Sequence, residues 1–148
     1  MQRFAWKARV LDGMLDEYRR LRETRPERDF DPGQLNQVFM NLLANACDAI
    51  AGEGNVWIAT RAAGGEATIT IRDDGAGIPA EARDRIFDPF FTTKDVGAGT
   101  GLGLAISHGV VAAHGGRLTV ESAPGEGACF RITLPLGVAP LAAASGGA

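Results

Sequence analysis

The chain has 148 residues, 45% hydrophobic and 22% charged, the balance of a folded domain with a sizeable core rather than of a disordered chain. Fifteen Lys/Arg against eighteen Asp/Glu leave a formal charge of −3, which excludes a strongly basic nucleic-acid binder. Twenty glycines are about twice the usual share of ~7%, carry no Gly-X-Y period, and mark loops where backbone must approach something closely.

Residues 3–25 read as an amphipathic, arginine-rich helix: Phe4, Leu11, Met14, Tyr18 and Leu21 recur at three-, four- and seven-residue spacings, and Pro26 ends the pattern. The stripe is expected to dock on the domain body. Met1–Leu15 lacks the apolar run of a signal peptide, and no stretch of 18 apolar residues occurs, so neither a leader nor a membrane span is predicted and a cytoplasmic location is expected. Residues 26–34 are turn-rich, so residues 1–33 are read as a helix with a short linker.

A second helix is predicted from Gln34 to Ala51 on the period of Leu35, Val38, Phe39, Leu42, Leu43, Ala46 and Ile50, with Gly52 and Gly54 as its stop. Alternation predicts strands at Asn55–Arg61 and Ala67–Asp73, joined as a hairpin by Gly64-Gly65. Residues 74–103 read as loop with a short helical piece at Pro79–Phe87. A third helix is expected from Gly101 to His114, stopped by Gly115-Gly116. Strands at Arg117–Ser122 and Ala128–Pro135 flank a Pro124-Gly125-Glu126-Gly127 turn, and residues 137–148 read as a flexible tail. Cys47 and Cys129 form no CxxC and read as free buried thiols. The fold class is α+β: a two-layer sandwich whose mixed, mostly antiparallel sheet is covered on one face by helices, with hairpins in place of helical crossovers, over residues 34–136.

Four features carry chemistry. On the second helix Gln37, Asn41, Asn45 and Asp48 share one edge at i, i+4, i+8 and i+11, with Asn45 at the border of the apolar arc. An amide oxygen there suits Mg²⁺, which takes few protein oxygens and fills its shell with water and phosphate; a solvated polar face is the alternative. Asp73-Asp74-Gly75-Ala76-Gly77-Ile78 ends a strand, where an aspartate can accept from an exocyclic amine such as that of adenine and the glycines admit a flat ring; the plainer reading is an acidic turn.

Gly97-Ala98-Gly99-Thr100-Gly101-Leu102-Gly103-Leu104 enters a helix, and bare amides at a helix start attract phosphate. The spacing matches neither a P-loop nor the dinucleotide fingerprint. Arg85-Ile86-Phe87-Asp88-Pro89-Phe90-Phe91-Thr92-Thr93-Lys94 is an aromatic cluster followed by a lysine, suited to anchoring a mobile lid and meeting a terminal phosphate, or to plugging a loop.

In this order the four features resemble the GHKL superfamily, and within it the ATP-binding catalytic domain of sensor histidine kinases of two-component signalling. Asn41-Leu42-Leu43-Ala44-Asn45-Ala46 is similar to the N box, Asp73–Gly77 to the G1 box, Phe87–Phe91 to the F box and Gly99–Leu104 to the G2 box. The resemblance implies Mg²⁺ and ATP as the only bound groups. It implies Asn45 as the metal ligand with Asn41 and Asp48 nearby, and Asp73 on the adenine amine beside Gly75, Gly77 and Ile78. A lid would run from Phe87 to Thr100, with Gly99, Thr100, Gly101, Leu102 and Gly103 around the phosphates and Lys94 at the terminal one.

Where the gyrase and chaperone branches usually place a water-activating glutamate, this chain has Asn41, and a neutral amide takes no proton at neutral pH. The expectation is phosphoryl transfer to a histidine on a separate dimerisation domain, with a response regulator involved indirectly and no membrane or nucleic-acid contact by this chain. The alternatives are a nucleotide switch without transfer and a serine kinase of the anti-sigma type. Catalytic roles fall to Asn41, Asn45 and Lys94. His108 and His114 lie within or at the end of the third helix and read as helix-surface and helix-end residues, not phosphoacceptors. The segment Arg28-Asp29-Phe30-Asp31-Pro32 is short for the edge strand of the family. Ala128 and Cys129 stand where the family often carries hydroxyls, and no contact is assigned to them.

Overall fold

In the computed structural model of the protein, which describes residues 31–92 and 101–135, helix α1 spans Pro32–Ala49. The predicted helix at 3–25, the tail, and Lys94, Gly97, Gly99 and Thr100 lie outside the described residues. The α1 helix begins two residues before the predicted start at Gln34. Asp31 is its N-cap, its carboxylate accepting from the Gln34 N–H at 3.1 Å, and Pro32 sits where a missing N–H costs nothing. The Asp-Pro pair that reads as a turn is therefore a helix start. The helix ends at Ala49, with Ile50 already extended.

Strands β1 (Val56–Ala63) and β2 (Glu66–Asp73) form the predicted hairpin, and Gly64 and Gly65 take φ values of 62° and 78°, which only glycine adopts cheaply in a two-residue turn. A one-turn helix α2 occupies Ala80–Arg83, and turns replace helix through to Phe90. Helix α3 covers Gly103–Ala113, and strands β3 (Arg117–Ser122) and β4 (Ala128–Pro135) match their predicted bounds.

Among the described residues the sheet runs in the order β1-β2-β4-β3, and its three pairings there are antiparallel. It follows that β2 and β3 run parallel with β4 inserted between them. The segment carrying α3 is the crossover that joins them, so the two hairpins are linked by a helical crossover that alternation alone does not reveal. Both long helices pack on one face. Leu35, Val38, Phe39, Leu42, Leu43 and Ala46 of α1 and Val111 of α3 meet Ala67, Ile69 and Ile71 of β2 and Phe130, Ile132 and Leu134 of β4. Full burial of each such aliphatic side chain contributes about 1.5–3 kcal/mol, so this layer carries the stability of the fold.

The opposite face carries Trp57, Arg72, Arg131 and Thr119, with the Arg72 guanidinium 5.4 Å from the Trp57 ring. At the far end His114 ties the helices together. Its Nε2 accepts from the Asp31 N–H at 3.0 Å while Nδ1 faces the Val110 carbonyl at 2.8 Å. His108 is exposed on α3 with its ring 5.0 Å from that of Phe87, so the two histidines are the helix-surface and helix-end residues the sequence predicts. Cys47 and Cys129 are thiols rather than disulfide-bonded, and both are partly rather than fully buried.

Candidate nucleotide site

The alternation of β2 decides where Asp73 points. Ile69 and Ile71 face the core, so two residues on the carboxylate of Asp73 faces it too, and is 2% exposed. Its rung in the sheet is Val56, Asp73, Ala128, Ser122. A carboxylate in such a place needs donors. The Gly75 N–H donates to Oδ1 at 2.8 Å, and the backbone at Ala128, its partner across the β2–β4 ladder, also favours the charged form. Ala128, to which the sequence assigns no contact, stands opposite Asp73 in the β2–β4 ladder. Burial outweighs both effects and pushes the Asp73 carboxyl above its usual range.

Asp74 points the other way. It accepts from the backbone N–H of Asn55 at 2.8 Å and from its side-chain amide at 3.1 Å, bonds that hold its carboxyl below the usual range. Asp74 thus pins the entry to β1, and the adjacent acid is the one aimed inward.

The loop after Asp73 is pressed between α1 and the β3–β4 turn. The Ala76 N–H donates to the Ala49 carbonyl at 3.0 Å, and the Gly125 N–H donates to the Ala76 carbonyl at 2.7 Å. Gly77 has φ 77°, and a Cβ there would collide with the Ala123 carbonyl; at Gly75 it would collide with that of Ala49. Both glycines are therefore fixed by close backbone approach. Ile78, half-buried against the core, donates its N–H to Ser122 Oγ at 2.8 Å.

The polar edge of α1 links this loop to the start of α3. Asn41 donates its amide to the Gly103 carbonyl at 3.3 Å and to the buried Ser107 hydroxyl at 3.2 Å. Two turns later Ala49 meets Gly75 and Ala76. Asn45 lies midway, one turn from each, half-buried, while Gln37 and Asp48 at the ends of the edge are exposed. The helix thus brings Asn45 between the loop that follows Asp73 and the glycine-rich start of α3.

Helix α3 begins at Gly103 with Leu102 at its N-cap and no side-chain cap, leaving first-turn amides for an anion. Gly101 has φ 70° and its carbonyl accepts from the Phe90 N–H at 2.8 Å; a Cβ on Gly101 would strike the Phe90 backbone. The aromatic segment and the glycine-rich segment are therefore joined where the chain between them leaves and returns. Phe90 itself holds φ 66°, rare for an aromatic residue, and is 74% exposed. Phe87 is partly buried against the core, so it anchors this junction. The Arg85 guanidinium lies 4.7 Å from the Phe91 ring.

The residues present fit a purine nucleotide. A buried acceptor lies at the end of β2 beside a loop whose two glycines let it pack tightly on Ala49 and Ala123, and helix α3 starts without a side-chain cap on the other side of Asn45. Among the described residues no cluster of three or more His, Cys, Asp or Glu could cage a metal, so a divalent ion here would depend on the Asn45 oxygen and on oxygens of a bound phosphate, the preference of Mg²⁺. Sequence reasoning missed Ser122 and Gly127. The available signal was a hydroxyl at the inward position of β3, two residues after Val120 and four after Leu118.

Comparison with known proteins agrees with this geometry. Residues 30–138 match the family described as "Histidine kinase-, DNA gyrase B-, and HSP90-like ATPase", and the chain belongs to that family. It is 42% identical over 116 residues to the sensor histidine kinase ZraS of Escherichia coli strain K12, covering 78% of this chain and 24% of that protein. Among solved structures it is similar to the mycobacterial sensor histidine kinase MprB (32% identity, TM-score 0.66, 87% of this chain and 93% of that one). It is also similar to full-length ShkA in complex with AMPPNP (31% identity, TM-score 0.65, 83% of this chain and 29% of that one). The chain spans about a quarter of the length of the curated relatives it matches. No helix among the described residues is long and apolar enough to cross a membrane.

Proposed function

We propose that the chain binds ATP with Mg²⁺ and donates the γ-phosphoryl group to a histidine on a separate dimerisation domain. The observation that carries this reading is the convergence on α1: Ala49 against the Asp73 loop, Asn41 against the start of α3, and Asn45 between them. Asp73 accepts the adenine amine and Gly77 passes beside the ring. Amides around Gly101, Leu102 and Gly103, with Gly99, Thr100 and Lys94 from the adjoining segment, hold the phosphates. Asn45 is the protein ligand of Mg²⁺, which supplies charge neutralisation on the phosphate oxygens.

The acceptor nitrogen attacks the γ-phosphorus, ADP leaves, and the imidazole proton passes to solvent. This chain contributes positioning and electrostatics to that step, not a base. Asn41 supports transfer over hydrolysis, because a neutral amide donating to Gly103 and Ser107 activates no water. Exposed Phe90, beside the junction, and Ile106, on the first turns of α3, offer apolar area to the acceptor domain.

The test mixes the domain with γ-labelled ATP and a histidine-containing dimerisation domain of a relative such as ZraS. Acid-labile label on the second protein is the expected result. Tight ATP binding with no label transferred leaves the switch reading in its place.

A further inference from the structure

We propose that the outer face of the sheet, turned away from α1 and α3, is a docking surface for the acidic face of a separate protein. Strand alternation sends Trp57, Arg61, Arg72, Arg117, Arg131 and Glu121 to this face. Trp57, Arg72 and Glu121 share one outward rung, Arg131 stands on the next, and Arg61 and Arg117 lie at the two ends of the third. Threonine and alanine fill the positions between them, so nothing bulky keeps a partner away.

Charge is sorted across the molecule. Of the six Arg and Lys among the described residues four stand on this face, whereas of the eleven Asp and Glu only Glu66 and Glu121 do. The face is therefore net positive on a chain whose formal charge is −3. Its arginines are little neutralised. Arg117 approaches Glu66 at 3.8 Å with both side chains more than half exposed, and Arg72 lies over the Trp57 ring. Arg61 and Arg131 form no ion pair among the described residues. Arg and Trp are the residue types that anchor protein interfaces, and Trp57 is 49% exposed.

The sign of the charge selects the occupant. It does not come from the rest of this chain: residues 1–30 carry eight Arg and Lys against six Asp and Glu, residues 93–100 one of each, and residues 136–148 none. An extended polyanion is a poorer match. Exposed Glu53, Asp74 and Glu126 border the end of the sheet where Trp57 lies. A nucleic acid or lipid surface overrunning that end meets these carboxylates, and an acidic patch of the face's own size does not. Strand spacing and rise give the face roughly 14 by 20 Å. That is well under the ~800 Å² per partner of a stable complex, so the partner is one that exchanges and is drawn in by charge.

The test titrates the full chain with a decaglutamate peptide, and in parallel with decathymidylate and with phosphatidylserine vesicles, following backbone amides by NMR. The peptide is expected to shift amides of residues 57–61, 68–72, 117–121 and 129–133, with affinity falling at least about tenfold between ~50 and ~300 mM salt. Arg61→Glu with Arg131→Glu should lose at least about tenfold in peptide affinity, and R61K/R131K should stay within about twofold. Both pairs are on the surface, so their Tm should lie within about 2 °C of the parent. If the reversal unfolds the chain, R61Q/R131Q decides, with an expected loss of about threefold or more.

Absence of peptide binding, shifts confined to other surfaces, or unchanged affinity in the reversal or neutral variant overturns the proposal. Tighter binding of decathymidylate or vesicles to the same amides also overturns it, in favour of a nucleic acid or a membrane. Self-association of the chain that disappears in the variants overturns it in favour of a second copy.

Discussion

Replacing Asp73 by Asn changes one oxygen to an amide nitrogen at almost constant volume, so it isolates the chemistry of the acceptor from its packing. The carboxylate is buried and already takes the Gly75 N–H. With the Asn oxygen kept on Gly75, its NH₂ takes the place of the second carboxylate oxygen and can no longer accept. With the amide flipped, its NH₂ faces the Gly75 N–H, donor against donor. In either orientation the carboxylate's charge-assisted bond to an adenine amine is lost.

A hydrogen bond to a charged group is worth about 1.5–3 kcal/mol, so ATP affinity should fall by roughly ten- to a hundredfold or more. Calorimetry at neutral pH measures it, and tripolyphosphate, which has no base, serves as the control and should bind as before. An unchanged ATP affinity in D73N removes Asp73 from the site.

Stability tests the same residue independently. Burial raises the Asp73 carboxyl above its ordinary 3.8, so it favours folding below that pH and loses this contribution as pH rises through its folded value. At neutral pH the ionised group is a net cost, the mark of a residue retained for function. The stability of D73N relative to the unmodified chain should accordingly be more favourable at pH 7 than at pH 3, and a difference that is flat across this range contradicts the assignment of burial as the dominant cause.

Asn45→Ala should abolish the gain in ATP affinity on adding Mg²⁺; equal gains in mutant and parent would show that the metal is held elsewhere. Gly77→Ala forces a left-handed backbone on alanine, at about 1–2 kcal/mol, and drives a methyl into the Ala123 carbonyl, so the Tm should drop by about 5–10 °C and ATP binding should weaken. A normal melt with normal binding would mean that the loop is not held as described. Asp74→Ala removes the clamp on Asn55 but not the buried acceptor. Its adenosine affinity should stay within about twofold of the parent, and a loss matching that of D73N would assign the base contact to the wrong carboxylate.

Much of this protein is legible in one dimension because its signals are local. The apolar period of α1, the two-residue glycine turn between β1 and β2, and the alternation that fixes β3 and β4 depend on neighbours a few positions away. The four motifs in order were enough to point to the family. The helical piece expected at Pro79–Phe87 is present but shorter, covering only Ala80–Arg83. Helical spacing is present there, but the chain leaves α2 after one turn and reaches Phe90, whose backbone is tied to Gly101, eleven residues further on.

The sequence by itself placed acid, amide and glycines in their segments, since residue type and spacing are properties of the string. The resemblance already pointed to Asp73, but only the tertiary structure gives the reason, because which carboxylate is desolvated depends on the core face of β2 and on the helices packed above it. It also brought Asn41 to Gly103 and Ser107, and Ser122 to Ile78 and Gly127. These partners stand 5 to 66 residues apart, and a hydroxyl or amide carries no mark of which distant backbone group will turn to meet it.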